Sequence, residues 1–206
     1  MRNNMSAKYT LTVKNNSTRR GDFAIFQESP NVNVPNVVTL AWFAKSAHPT
    51  ATLEFQWDTD YSFVMADSAA SGTGETIRAR QVSPCNLSTS NKIALQKGGG
   101  DYSLKDQSQG ETAGSLYIEE SEDVGANDVL VGIGMSGNPS FLVPSQAGME
   151  VVFTPQPAYW ITFGSYTQGE LIDVAQAKEN AIKLKFDDVT DMLVTFGEDG
   201  AWNISE

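Results

Sequence analysis

A single histidine, His48, and a single cysteine, Cys85, bound the chemistry open to this chain. A Ser-His-Asp triad would have to run through His48. That residue sits in Ser46-Ala47-His48-Pro49, where the position before proline is held extended. No Gly-x-Ser-x-Gly elbow is present. A Cys-His pair of Cys85 with His48 is formally available. Cys85 follows Pro84 and precedes Asn86 in a turn-like stretch, and it reads more simply as a packed or loop thiol. One cysteine makes no internal disulfide, and one cysteine with one histidine makes no zinc cluster within the chain. The expectation is no catalytic residue, no metal and no cofactor.

Carboxylates are more plentiful. Asp58-x-Asp60 could hold a hard cation through oxygen ligands. Glu119, Glu120, Glu122, Asp123 and Asp128 form a denser group, and Asp187, Asp188 and Asp191 another. None has EF-hand spacing, and solvated acidic loops are the plainer reading. A glycosidase pair is defined by distance in space, so a carboxylate-dependent hydrolase stays open without nominating residues. Gly132-x-Gly134-x-x-Gly137 matches the dinucleotide fingerprint by letter, but no helix follows and Pro139 comes next. Gly98-Gly99-Gly100 reads as a hairpin loop. The aromatics offer the best candidate binding surface. Trp57, Asp58, Asp60 and Tyr61, with Tyr159 and Trp160, could stack on sugar faces and accept hydroxyl hydrogen bonds. Against this, Tyr61 shares a strand face with Phe63, and Phe55 with Trp57, which argues for core.

The elements that must position these groups are strands. The chain has 206 residues, 40% hydrophobic and 10% aromatic, enough for a substantial core. Tyr9 to Lys14 alternates apolar and polar, and similar short runs recur throughout, separated by Gly, Pro, Asn or Asp. That spacing predicts an all-β fold, an antiparallel β-sandwich. Residues 37–44 are nearly all apolar, so Val37, Val38, Leu40 and Trp42 are candidate interface residues. Asp173 to Ala181 could form one or two helical turns.

The two halves also match each other. Phe55 and Tyr61 fall on Phe153 and Tyr159, each 98 residues on. Gly74-Glu75-x-Ile77 then matches Gly169-Glu170-x-Ile172, and Asn91-x-Ile93-x-Leu95 matches Asn180-x-Ile182-x-Leu184. Two pseudo-symmetric repeats follow as an expectation: an N-terminal β unit at 1–106 and a C-terminal β unit at 107–206, merged into one body.

Several stretches together resemble the RhiA-like family of rhizosphere-expressed bacterial proteins. They are Tyr9 to Ser17, Leu40 to Lys45, Asp60 to Val64, Val131 to Gly137, and Tyr159 to Gly164 with Gln168-Gly169-Glu170 close behind. Met65 departs from the family pattern, which has an aromatic after Phe-Val. The resemblance implies an abundant, quorum-regulated protein of plant-associated bacteria, and it carries over no catalytic residues.

Charge narrows the partners. With 14 basic and 25 acidic residues the net charge is −11, which repels phosphate backbones and anionic bilayers. Nucleic acid and membrane are therefore not expected partners. The first eight residues carry charge without a following apolar stretch, so the expected location is cytoplasmic, or outside the cell by a route needing no classical signal peptide. The leading functional expectation is a non-enzymatic protein acting through a surface, by self-association into a homo-oligomer. A carbohydrate-binding module with a glycan partner is the alternative, and the hydrolase is third.

Overall fold

The computed structural model describes residues 7–68 and 72–205, and among these nineteen strands and one short helix account for the regular structure. Strands are numbered along the chain and form four sheets among the described residues. Sheet I runs β19 (Trp202–Ser205), β18 (Asp191–Phe196), β1 (Lys8–Asn15), β6 (Thr52–Asp58). Sheet II runs β17 (Ala181–Leu184), β15 (Tyr159–Gly164), β2 (Gly21–Gln27), β5 (Phe43–Ala47). Sheet III runs β10 (Asp101–Ser108), β9 (Lys92–Gly98), β11 (Leu116–Glu120), β14 (Glu150–Thr154), β3 (Asn31–Val32). Sheet IV runs β16 (Leu171–Ile172), β4 (Val38–Leu40), β13 (Asn138–Pro144), β12 (Val129–Met135), β7 (Tyr61–Asp67), β8 (Ala79–Pro84).

The all-β, largely antiparallel expectation is met, and two strand pairs run parallel within it. β1 pairs with β18 in parallel, and β9 with β11 likewise. Neither pair is joined by a hairpin turn, so nothing forces the strands to run in opposite directions.

Sheet I packs on sheet II through aromatic contacts: Phe196 to Phe23 at 6.1 Å, Trp57 to Tyr159 at 5.2 Å, Phe55 to Phe43 at 6.4 Å. Sheets III and IV bring Leu95, Leu116 and Phe153 into one buried cluster with Phe63, Ile133 and Phe141. Alternation does the sorting. In β1, Leu11 and Val13 are fully buried while Thr10 and Thr12 are only half covered. Sheet IV is covered on both faces. A second apolar cluster (Leu40, Val64, Ala66, Ile77, Leu130, Leu142, Leu171) occupies the far side, which is why β12 reads as one unbroken apolar run.

Local turn chemistry fits the hairpins. Gly99 and Gly100 take positive φ between β9 and β10, and Ser136 and Gly137 do so between β12 and β13. Those are the torsions of two-residue hairpin turns that match strand twist. Gly132 sits where an added Cβ would lie 2.0 Å from the Phe141 carbonyl oxygen, so the glycine permits close strand approach. The short helix α1 (Val174–Glu179) begins at Asp173, whose carboxylate accepts from the Ala175 and Gln176 amides.

The apolar run at 37–44 is not one strand. It divides into β4 and β5 at Ala41-Trp42, where the chain passes from sheet IV to sheet II. All four sheets combine strands from before and after residue 106, and β10 itself runs through that position.

Candidate functional site

The aromatics singled out by sequence converge, but inside the molecule. Trp57 is 3% exposed, Tyr159 6% and Tyr61 9%. Trp42, fully buried, stacks on Tyr159 at 5.9 Å and meets Trp57 edge-on at 5.6 Å. Its indole N–H donates to the Met135 carbonyl at 2.9 Å, tying the β4–β5 crossing to the end of β12. Burial pushes the Tyr159 hydroxyl up to about 12 and raises that of Tyr61 as well. Rings covered to this extent present no face to a sugar.

Trp160 is half-buried on the other side of β15. One neighbour is Phe26, stacked at 6.5 Å, and the Lys178 ammonium lies 4.6 Å from its ring centroid. Lys178 and Lys183 both bond Glu28 at 3.1 Å, and these bonds hold its carboxyl below the usual range. Asp58 is half-buried and Asp60 exposed. The Asp58 carboxylate accepts from the Asp60 amide at 3.1 Å, and the Ser136 amide donates to the Asp60 carbonyl at 2.9 Å. The pair thus shapes the β6–β7 crossing as a turn that docks on the β12–β13 turn through Ser136.

Of the candidate interface residues, Leu40 and Trp42 are fully buried and Val37 and Val38 half-buried. The covered parts of this run serve as core. His48 is exposed on the β5–β6 turn, and burial pushes the Cys85 thiol up to about 12, far from a reactive thiolate. Among the described residues no three carboxylate, imidazole or thiol groups converge to hold a metal ion.

Two features escaped the sequence. The first is at the β8 edge. The Gln81 amide donates to the Leu104 carbonyl at 2.7 Å and accepts from the Leu104 amide at 2.8 Å, so one side chain stands in for a strand between β8 and β10. The second is Glu120. Sequence placed it in an acidic group without distinguishing it. It is only 2% exposed and lines a cleft of about 610 Å³. Its Oε2 accepts from the Gln146 amide at 2.6 Å, while Oε1 has no hydrogen-bond partner. Burial pushes this carboxyl up to about 7. No spacing rule signals such a residue, because its burial comes from the 145–149 loop folding over the end of β11.

Comparison with known proteins agrees over almost the whole length. The family model described as RhiA matches residues 6–206. Protein RhiA of Rhizobium leguminosarum bv. viciae is 31% identical over 202 residues, covering 96% of this chain and 86% of that protein. No solved structure gives a significant match.

Proposed function

The chain belongs to the RhiA family, and we propose that it acts through its surface as a self-associating β protein built from two exchanged repeats. The carrying observation is how the strands are shared. Sheets I and II take β1, β2, β5 and β6 from the first half and β15, β17, β18 and β19 from the second. Sheets III and IV take β7 to β10 from the first half and β11 to β14 from the second, with β3, β4 and β16 added at their margins.

The two sets correspond strand for strand. The order β19-β18-β1-β6 parallels β10-β9-β11-β14, each with its one parallel pair at the centre. The order β5-β2-β15-β17 parallels β13-β12-β7-β8. Ile25 pairs with Phe43 and Ile161, as Ile133 pairs with Phe141 and Phe63. Phe43 and Phe141 are 98 residues apart, the same offset as Tyr61 and Tyr159. The two Gly-Glu segments also meet directly, Thr76 bridging Glu170. In this correspondence β9 matches β18 rather than β17, so the Asn-x-Ile-x-Leu copies belong to different strands of the repeat.

Each repeat thus lends four strands to the other, β7 to β10 across the short crossing at 59–60 and β15, β17, β18 and β19 across that at 155–158. An exchange that closes within one chain can also close between two, so the fitting partner is a second copy. The test mixes two differently tagged full-length populations and takes them through partial unfolding and refolding, followed by chromatography with light scattering. Dimers or larger species carrying both tags support exchange. Monomers alone at every concentration overturn it.

A further inference from the structure

We propose that β19 is the strand through which two folded copies of this chain meet, pairing antiparallel with its own copy so that sheet I continues from one protomer into the other. The contact rests on the self-association reading above but needs no exchange of strands. It follows from what the sheets do with their edges. An edge strand offers unpaired N–H and C=O groups, and soluble proteins blunt it with charge, shortness or cover. β3 and β16 are two residues long. β8 carries Arg80, and β5 carries Lys45, whose ammonium also takes the Glu54 carbonyl of β6 at 2.6 Å. β17 carries Lys183, and β10 carries Lys105 and is closed by Gln81. Among the described edge strands, β19 alone is longer than two residues and uncharged, reading Trp-Asn-Ile-Ser.

A comparison within the molecule shows that this edge is left open. Asn15 and Glu120 hold the same place in the two repeats, their amides donating to the carbonyls of Ala51 and Met149, 98 residues apart. Asn15 pairs with Phe196 and Phe196 with Trp202, as Glu120 pairs with Leu95 and Leu95 with Leu104. Trp202 thus stands where Leu104 stands in the other repeat. The Gly197 amide donates to the Ala201 carbonyl at 2.9 Å, so the backbone groups of Ala201, Asn203 and Ser205 face β18, and those of Trp202 and Ile204 turn outward. On β10 the outward groups are taken. The Tyr102 amide donates to the Asp101 carboxylate at 2.8 Å, and Gln81 engages both groups of Leu104. Extending the β15–β17 register by one residue puts Asn180 opposite Phe163, which is 98 residues on from Met65, the partner of Gln81. Asn180 is one methylene shorter than glutamine and meets β19 through its carbonyl, which accepts from the Trp202 indole N–H at 3.0 Å. Among the described residues the outward amides and carbonyls of Trp202 and Ile204 have no partner.

The occupant that fits is a second copy. A net charge of −11 makes copies of this chain repel, and a twofold pairing sets each residue against its own kind. β19 meets itself without placing like charges face to face. With Asn203 opposite the partner's Asn203, Trp202 lies opposite the partner's Ile204, and all the outward backbone groups bond in one register. The half-buried side chains of Trp202 and Ile204 share the face of β19 that packs on the core, so the pairing brings them together and removes apolar surface from water. The strand is already held in place for this, its Trp202 ring lying 4.7 Å from that of Phe196 and 5.9 Å from that of Phe23.

Sedimentation velocity over a concentration series of the full-length protein, never unfolded, tests the pairing. Wild type is expected to show a reversible monomer–dimer equilibrium. Asn203 is exposed, so charging it leaves the fold intact. Asn203→Lys and Asn203→Asp each set like charges across the twofold and should weaken the dimer by about fivefold. Mixing the two variants should restore it as a heterodimer. Gln56→Lys, exposed on the other edge strand of sheet I, should leave it unchanged. A monomer at every concentration overturns the proposal. So does dimerisation indifferent to both Asn203 variants, or a mixture of them that associates no better than either alone. Native monomers alongside mixed-tag species after refolding overturn edge pairing and leave exchange standing. Native dimers without mixed-tag species do the reverse.

Discussion

Glu120 couples burial to proton affinity. An unfolded chain releases its proton near the ordinary value of 4.5, whereas the folded protein holds it to about 7. Between those values the native state binds the extra proton, so stability falls as pH rises from 4.5 through 7 and levels off above. The full effect is about 3 kcal/mol. Urea midpoints of wild type and Glu120→Gln should therefore converge near pH 4.5 and separate at pH 8, the variant being the more stable. Equal differences at both pH values would remove this account. Trp42 acts in the opposite way, as a residue whose every atom is engaged. Trp42→Ala should cost about 3–5 kcal/mol through the cavity it leaves. Trp42→Phe keeps most of the volume but loses the indole bond to the Met135 carbonyl, about 0.5–1.5 kcal/mol. Denaturant melts of the two variants measure both. Residue types alone marked the aromatics and carboxylates as notable. They could not separate Glu120 from Glu119, since adjacent positions on a strand face opposite sides and only the neighbouring loop decides which side is covered.

Strands are held here by two kinds of close fit. In sheet IV the backbone of β13 passes so near Gly132 that Gly132→Ala places a methyl group on the Phe141 carbonyl. That substitution should destabilise by about 1–3 kcal/mol or more through forced strand separation, read from the thermal midpoint. At the β8 edge the fit is polar. Gln81→Ala removes two hydrogen bonds to Leu104, and faster hydrogen exchange at the Leu104 amide is the expected signature. Unchanged protection there would mean the edge is sealed by other contacts. Element existence was well marked in the sequence: alternation placed β1, and Gly98-Gly99-Gly100 placed the hairpin after β9. The break at Ala41-Trp42 was hidden because both resulting strands are apolar, and hydropathy carries no record of which sheet a strand joins. The parallel pairs were hidden for the same reason.

At the scale of the whole molecule, a net charge of −11 opposes the association proposed above. Raising sodium chloride from about 20 mM to about 500 mM shortens the Debye length and should increase the fraction of mixed-tag species formed on refolding. A fraction that does not respond to salt would mean repulsion is not limiting. Composition, alternation and turn residues determined by themselves that this chain is a β protein with neither an internal disulfide nor a zinc cluster within one chain, and the stretches it shares with the RhiA-like family marked the resemblance. These follow from local properties of each segment: which faces are apolar, where the backbone must turn, which side chains are present. Tertiary structure alone decided that Trp57, Tyr61 and Tyr159 are interior, that Glu120 is buried with an idle oxygen, and that strands from both halves share each sheet. These depend on contacts between residues far apart along the chain, where pairing is chosen by the fit of whole surfaces.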